Sequence, residues 1–262
     1  MKGMFEKYYN TAGYTLIILI IILFRTISFA DTITVGTGGW MPYFATTGNE
    51  PPGYTIEMVR TILNKAGHSL TIKNIPYIRA MKMLYEGSLN LIIGSRIDEL
   101  DPEKVAIVSE EIGINVFVFY VKRENKWQYE DVRSLRNMKL GLVIGETYPG
   151  LESYIAENRN MIQFIASDDA YERNLKKLVA GRVDVITDNE NVIDYYASMN
   201  GVTAEIRKAG YLTKPEKLFA AFSRKHPRSD EYSKLLSEGI SKMRESGDLQ
   251  NLLSRYGLKD WK

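Results

Sequence analysis

Residues 84–92 read LYEGSLNLI, and residues 178–186 read LVAGRVDVI. Each closes an apolar helix face, stops at a glycine and starts an apolar strand, and the two lie 94 residues apart. Glycine stops a helix there because it enters the left-handed region without a Cβ clash. Two similarly built α/β units would produce such an echo; so would coincidence, since helix–glycine–strand is a common sequence. The flanking segments alternate in the same way. Ile33–Thr37 reads as a β-branched strand ending at Gly38-Gly39, and Tyr54–Ala66 as a helix with Ile56, Val59, Ile62 and Leu63 on one face. Strand Leu70–Ile75, helix Tyr77–Tyr85 and strand Leu89–Ile93 follow, then a single long apolar strand, Ile114–Val121. A second set runs through strand Lys139–Ile144, helix Leu151–Asn158, strand Gln163–Ala166, helix Ala170–Val179, strand Val183–Thr187 and helix Val192–Met199. Strand Leu218–Phe222 and helices Asp230–Glu245 and Leu249–Tyr256 end the chain. This order predicts open, largely parallel sheets with helices on their faces.

The 262 residues are 45% hydrophobic and 25% charged, which is ordinary globular composition. The first thirty form an address. Lys2 and Lys7 precede the apolar run Leu16–Phe24, and Ser28-Phe29-Ala30 offers small residues at −3 and −1. That is a secretory signal peptide with cleavage expected between Ala30 and Asp31. Nine apolar residues span about 14 Å as a helix, under half of a bilayer's roughly 30 Å core, which argues against an anchor. Lys2, Lys7, Arg25 and Glu6 leave with the address, so 31 basic and 31 acidic residues remain. A neutral mature chain gives no footprint for nucleic acid.

Most enzyme chemistry finds no foothold. Cysteine is absent, which excludes thiolate metal sites, disulfides and cysteine nucleophiles, and only two histidines occur. Gly36-Thr37-Gly38-Gly39 follows a strand but runs into Trp40-Met41-Pro42, where a phosphate cradle needs a further glycine and a helix start. No nucleophile elbow, Walker loop or calcium loop appears. No metal and no cofactor is expected. What recurs is aromatic and polar residues just beyond the expected strand ends, where open α/β sheets bind ligands. Trp40 and Tyr43 follow the first strand, Tyr77 and Arg79 the second, Ser95 and Arg96 the third. Glu146, Thr147 and Tyr148 follow Lys139–Ile144, and Asp188 follows Val183–Thr187. Rings stack on a ligand's apolar body and a guanidinium pairs with a carboxylate. Arg79 stands in a helix's first turn, where the dipole disfavours a cation, so a binding role would offset a cost.

Gly39-Trp40-Met41-Pro42-Tyr43-Phe44, Gly53-Tyr54-Thr55-Ile56-Glu57, Leu140-Gly141-Leu142-Val143 before Gly145-Glu146-Thr147, Ala180-Gly181-Arg182-Val183-Asp184-Val185 and Ser246-Gly247-Asp248-Leu249 stand in an order that resembles extracellular solute-binding proteins of family 3. The resemblance runs over essentially the whole mature chain, and Pro76-Tyr77-Ile78-Arg79-Ala80 is similar to a subgroup with aromatic-x-Arg-Ala. It implies a two-lobed α/β fold, the type II periplasmic-binding-protein fold, with discontinuous lobes joined by two hinge strands. Lobe one would be 31–112 with 214–262, and lobe two 113–213. It also implies a monomeric periplasmic receptor, without catalysis, that closes on a small polar solute, amino-acid-like or a carboxylate. The receptor would present that solute to an inner-membrane ABC permease or a sensor. The alternative is an exported enzyme on the same scaffold, such as a cyclic amino acid dehydratase, with Glu146 or Asp188 as the acid. One departure stands out: amino-acid binders of the family carry T-x-T-x-x-R for the ligand's α-carboxylate, and here Pro102, or Asp101 with a shift, occupies the arginine's place. Arg96 is the substitute available from earlier in that loop.

Overall fold

The computed structural model describes residues 30–167 and 169–262. The expected signal peptide lies almost wholly outside the described residues. Two sheets organise the chain. The first holds β1 (Thr32–Thr37), β2 (Ser69–Asn74), β3 (Leu91–Ser95), β4 (Val105–Ile107), β5 (Gly113–Asn115) and β11 (Glu216–Ser223). Their order is β2-β1-β3-β11-β4, and β5 pairs with a further length of β11. The second holds β6 (Phe117–Lys122), β7 (Leu140–Val143), β8 (Ile162–Ile165), β9 (Val185–Asn189) and β10 (Ile206–Tyr211), in the order β10-β6-β9-β7-β8.

The helices form where apolar spacing and stop signals agree. In α1 (Tyr54–Lys65), Ile56, Val59 and Leu63 are fully buried, and Gly67 takes φ +83° just past its end. Each such side chain contributes about 1.5–3 kcal/mol by leaving water. The α2 helix (Tyr77–Glu86) ends on Gly87 in the left-handed conformation and feeds β3, while α4 (Ala170–Val179) ends before Gly181 at φ +69° and feeds β9. The two echoing segments thus occupy matching places. β3 runs parallel to β1 and antiparallel to β11; β9 runs parallel to β7 and antiparallel to β6. Around them stand α3 (Glu152–Glu157), α5 (Glu190–Met199), α6 (Ser229–Glu245) and α7 (Asp248–Arg255). Tyr232, Leu236, Ile240 and Met243 of α6 bury one stripe in the core of the first sheet.

The structure corrects three expectations. The sheets are mixed rather than largely parallel, because β6, β10 and β11 all enter antiparallel. The strand expected over Ile114–Val121 is two strands in different sheets, β5 on β11 and β6 between β9 and β10, separated by Val116. β3 and β9 each begin two residues later than expected, so Ser95 and Asp188 lie inside strands rather than beyond them.

The chain therefore passes between sheets twice, through Val116 and through 212–215. The crossings are tied to each other: the Phe117 amide donates to Thr213 Oγ1 at 3.0 Å, and the Leu212 amide donates to the Phe117 carbonyl at 2.8 Å.

Candidate functional site

The ends of β1, β3 and β7 open onto a cavity of about 350 Å³ between the sheets. The first sheet lines it with Trp40, Phe44, Tyr77, Ile78, Arg96 and Glu99, the second with Phe117, Ile144, Glu146 and Thr147; Asn115 and Leu218 come from the crossing strands. Another groove, about 380 Å³, lies between α1 and α6, lined by Ile62, Leu235, Met243 and lysines, away from every strand end.

Trp40 and Phe44 are held by a tight turn after β1. The Trp40 amide donates to the Phe44 carbonyl at 2.6 Å, and the Tyr43 amide to the Trp40 carbonyl at 2.9 Å. Gly53 closes that turn from behind at φ +93°, where a Cβ would stand 2.4 Å from Phe44 Cα. Gly94 in β3, at φ +90°, leaves space for the Phe44 ring, 3.2 Å from where its Cβ would be. Trp40 stacks on Tyr43 with centroids 4.2 Å apart, and its buried Nε1 has no hydrogen-bond partner among the described residues.

Of the residues singled out from sequence, Trp40, Tyr77, Arg96, Glu146 and Thr147 line the cavity. Tyr43 does not. It is fully buried, its hydroxyl donating to the Ile114 carbonyl at 2.5 Å and accepting from Asn191 Nδ2 at 2.9 Å. Burial pushes that phenol up to about 12. Arg79 is exposed on α2, outside the lining, and its side chain has no ion pair or hydrogen bond among the described residues. Ser95 is buried against the Tyr77 hydroxyl at 2.9 Å. Tyr148 and Asp188 are buried beneath the floor rather than on it. Phe44, Glu99 and Phe117 were missed: Phe117 because the strand holding it was read as continuous, Phe44 although it adjoins Tyr43, and Glu99 although it lies three residues past Arg96.

Arg96 is not a free guanidinium. It forks onto Asp98 through Nε (3.1 Å) and Nη2 (3.0 Å), lies 3.4 Å from Glu99 and 3.5 Å from Glu216. Those carboxylates, Asp98 first, raise its pKa further. Glu99 also accepts from the Arg96 amide at 3.0 Å and from the Tyr77 hydroxyl at 2.8 Å. Burial, with Glu99 adding to it, pushes the Tyr77 phenol well up.

Glu146 is different. Its one hydrogen bond comes from the Tyr171 hydroxyl, at 3.0 Å, and no cationic side chain among the described residues pairs with it. Burial raises its pKa, and Tyr171 only partly opposes that. Asp188, 1% exposed, accepts from the Asn189 amide at 2.8 Å and lies 3.4 Å from the Tyr148 hydroxyl. Burial and then the charge of Glu146 hold Asp188 well above the usual carboxylate range. Two carboxyls without a cation beside them each disfavour the other's ionised form. Among the described residues no group of three or more potential metal ligands occurs, and no helix is long and apolar enough to cross a membrane.

The model for bacterial extracellular solute-binding proteins, family 3, matches residues 33–259. No curated protein matches the chain. Solved structures do. An amino acid ABC transporter substrate-binding protein from Streptococcus pneumoniae, bound to L-arginine, is 16% identical with TM-score 0.63, covering 87% of this chain and 94% of that one. A putative L-cystine ABC transporter protein from Listeria monocytogenes is 18% identical with TM-score 0.64, covering 87% and 96%. A histidine kinase sensor domain similar to periplasmic binding proteins is 18% identical with TM-score 0.62, covering 86% and 95%.

Proposed function

Because the chain belongs to family 3 of the bacterial extracellular solute-binding proteins, we propose that it is a periplasmic receptor that captures a small polar solute between two lobes and presents it to an ABC permease or a sensor. The lobes are 31–112 with 214–262 on one side and 113–213 on the other, with β5 reaching from the second lobe to pair with β11 of the first sheet. The receptor performs no chemistry on the solute and works as a monomer. The observation that carries this reading is the cavity of about 350 Å³ lined from both sheets, with the paired crossing strands contributing Asn115 and Leu218. Contacts to both lobes can be complete only when the lobes approach, so a solute that makes them shifts the population toward closure.

Native mass spectrometry of the exported protein, before and after unfolding and refolding, tests this. The expected result is a small-molecule mass increment that disappears on refolding, together with a smaller radius of gyration in the loaded sample. Loaded and refolded samples of equal mass, with no solute able to compact the protein in scattering, would overturn it.

A further inference from the structure

We propose that the cleft takes an organic cation with an apolar or aromatic body and no carboxylate, seated with its ammonium on Glu146. This rests on the cleft being a solute site and narrows what the site accepts.

The charges lining the cavity are Arg96, Glu99 and Glu146. Arg96 is met by three carboxylates, Asp98, Glu99 and Glu216. A carboxylate ligand would have to displace one of them and then sit in a cleft that also holds Glu146. Like charges at that range in a partly dry site repel strongly. Pro102 and Asp101, which hold the place of the family's carboxylate-binding arginine, supply no cation; Pro102 is exposed, its carbonyl taken by Arg224 Nε at 3.1 Å. The opposite charge fits. Glu146 reaches the cavity with one hydroxyl as its partner, and Asp188, buried and near enough to feel its charge, has no cationic side chain paired to it among the described residues. A burden of two carboxyls and no cation is relieved by a proton in the empty protein and by an ammonium in the loaded one.

The walls agree with the floor. Trp40, Phe44, Tyr77 and Phe117 place four rings around the cavity. Aromatic faces attract weakly hydrated cations, more so where water is excluded, and also cover an apolar body. The volume stands near the lower end of the range for small-molecule sites. A cation that replaces a carboxyl proton also predicts an observable beyond affinity: proton release on binding.

The protein, unfolded and refolded to remove bound solute, is titrated calorimetrically at pH 6 with four probes of one shape. Phenethylamine and benzyltrimethylammonium are cations, L-phenylalanine is a zwitterion and 3-phenylpropionate an anion. The cations should bind tightest and the anion weakest, with a cation heat that changes with the buffer's ionisation enthalpy. Glu146→Gln should weaken the cations roughly ten- to a hundredfold and remove the buffer dependence. Proton release is read on the unmutated protein, so the assignment is testable whatever the variant's stability. Tighter binding of zwitterion or anion overturns the cation assignment and leaves the receptor reading standing. Cation binding without proton release, or undiminished in Glu146→Gln, overturns the seat on Glu146. If none of the four shifts the melting temperature or the scattering radius, the cation assignment fails, and the receptor reading stands or falls on the mass comparison of the exported and refolded protein.

Discussion

A strand end followed by an aromatic or polar residue is a legible signal, and five of the residues it singles out, Trp40, Tyr77, Arg96, Glu146 and Thr147, line the cavity. The signal cannot say which side of a turn a ring takes. Trp40 and Tyr43 share one turn, yet one lines the cavity and the other is sealed beneath it with its hydroxyl on Ile114. Nor can spacing show that an arginine is already paired, which is the fate of Arg96. The carboxyls of buried Asp188 and half-buried Glu146 have their own consequence at this scale. A carboxyl raised above its unfolded pKa binds its proton more tightly in the folded state. Its contribution is fully present below the ordinary carboxylate range, about pH 4, and is lost as pH rises through the raised values. Asp188 and Glu146 are both raised, so they should lower stability as pH climbs from about 4 toward neutrality. Asp188→Asn removes one of them and relaxes the other. The variant should gain melting temperature over the native protein near neutral pH and lose that gain toward pH 4. A difference between the two that stays flat from pH 4 to 7 would show that the pair does not titrate in this way.

At the scale of elements, helices were legible to within about two residues because apolar spacing and glycine stops coincide, as at Gly87 and Gly181. Strand limits came as close except at Ile114–Val121, but β4 and β10 had no reading of their own. The β9 segment opens with Val183-Asp184, apolar like the strand itself at its first residue, but pairing with β7 starts only at Val185. The break at Val116 has no composition of its own; only the pairing partners on either side distinguish β5 from β6. Gly53 is a place where the entry to a helix and the wall of the site are one object. An alanine there would adopt an unfavourable positive φ and press its Cβ into the Phe44 backbone. Gly53→Ala should cost roughly 2 kcal/mol or more in urea unfolding. It should also weaken solute capture, because Trp40 and Phe44 ride on the displaced turn. Native-like stability in that variant would mean the turn yields where the packing says it cannot.

For the whole molecule, the order of elements and the echo 94 residues apart made two related α/β units readable, while the way they join was not. Resemblance implied the crossings; periodicity alone did not mark them, since crossing strands look like any other strands. The core does not stop at the crossings: the cluster centred on the first sheet also holds Val143 of the second sheet and Tyr171 and Val192 of the helices beside it. One feature of this arrangement bears on how the chain comes to be folded at all. β11 sits between β3 and β4 and also carries β5, so the first sheet stays in pieces without it. Yet it is synthesised after every strand of the other sheet. Residues 117–211 hold the second sheet as one continuous stretch, so loops that close it are shorter and less costly in entropy. In refolding followed by pulsed hydrogen exchange, amides of β6, β7 and β9 should become protected before those of β1 and β3. Simultaneous protection would mean that the late strand does not set the pace. In either case the nascent molecule spends its most exposed interval with β3 as an open edge, which makes that strand the place where a delayed chain is most vulnerable to aggregation.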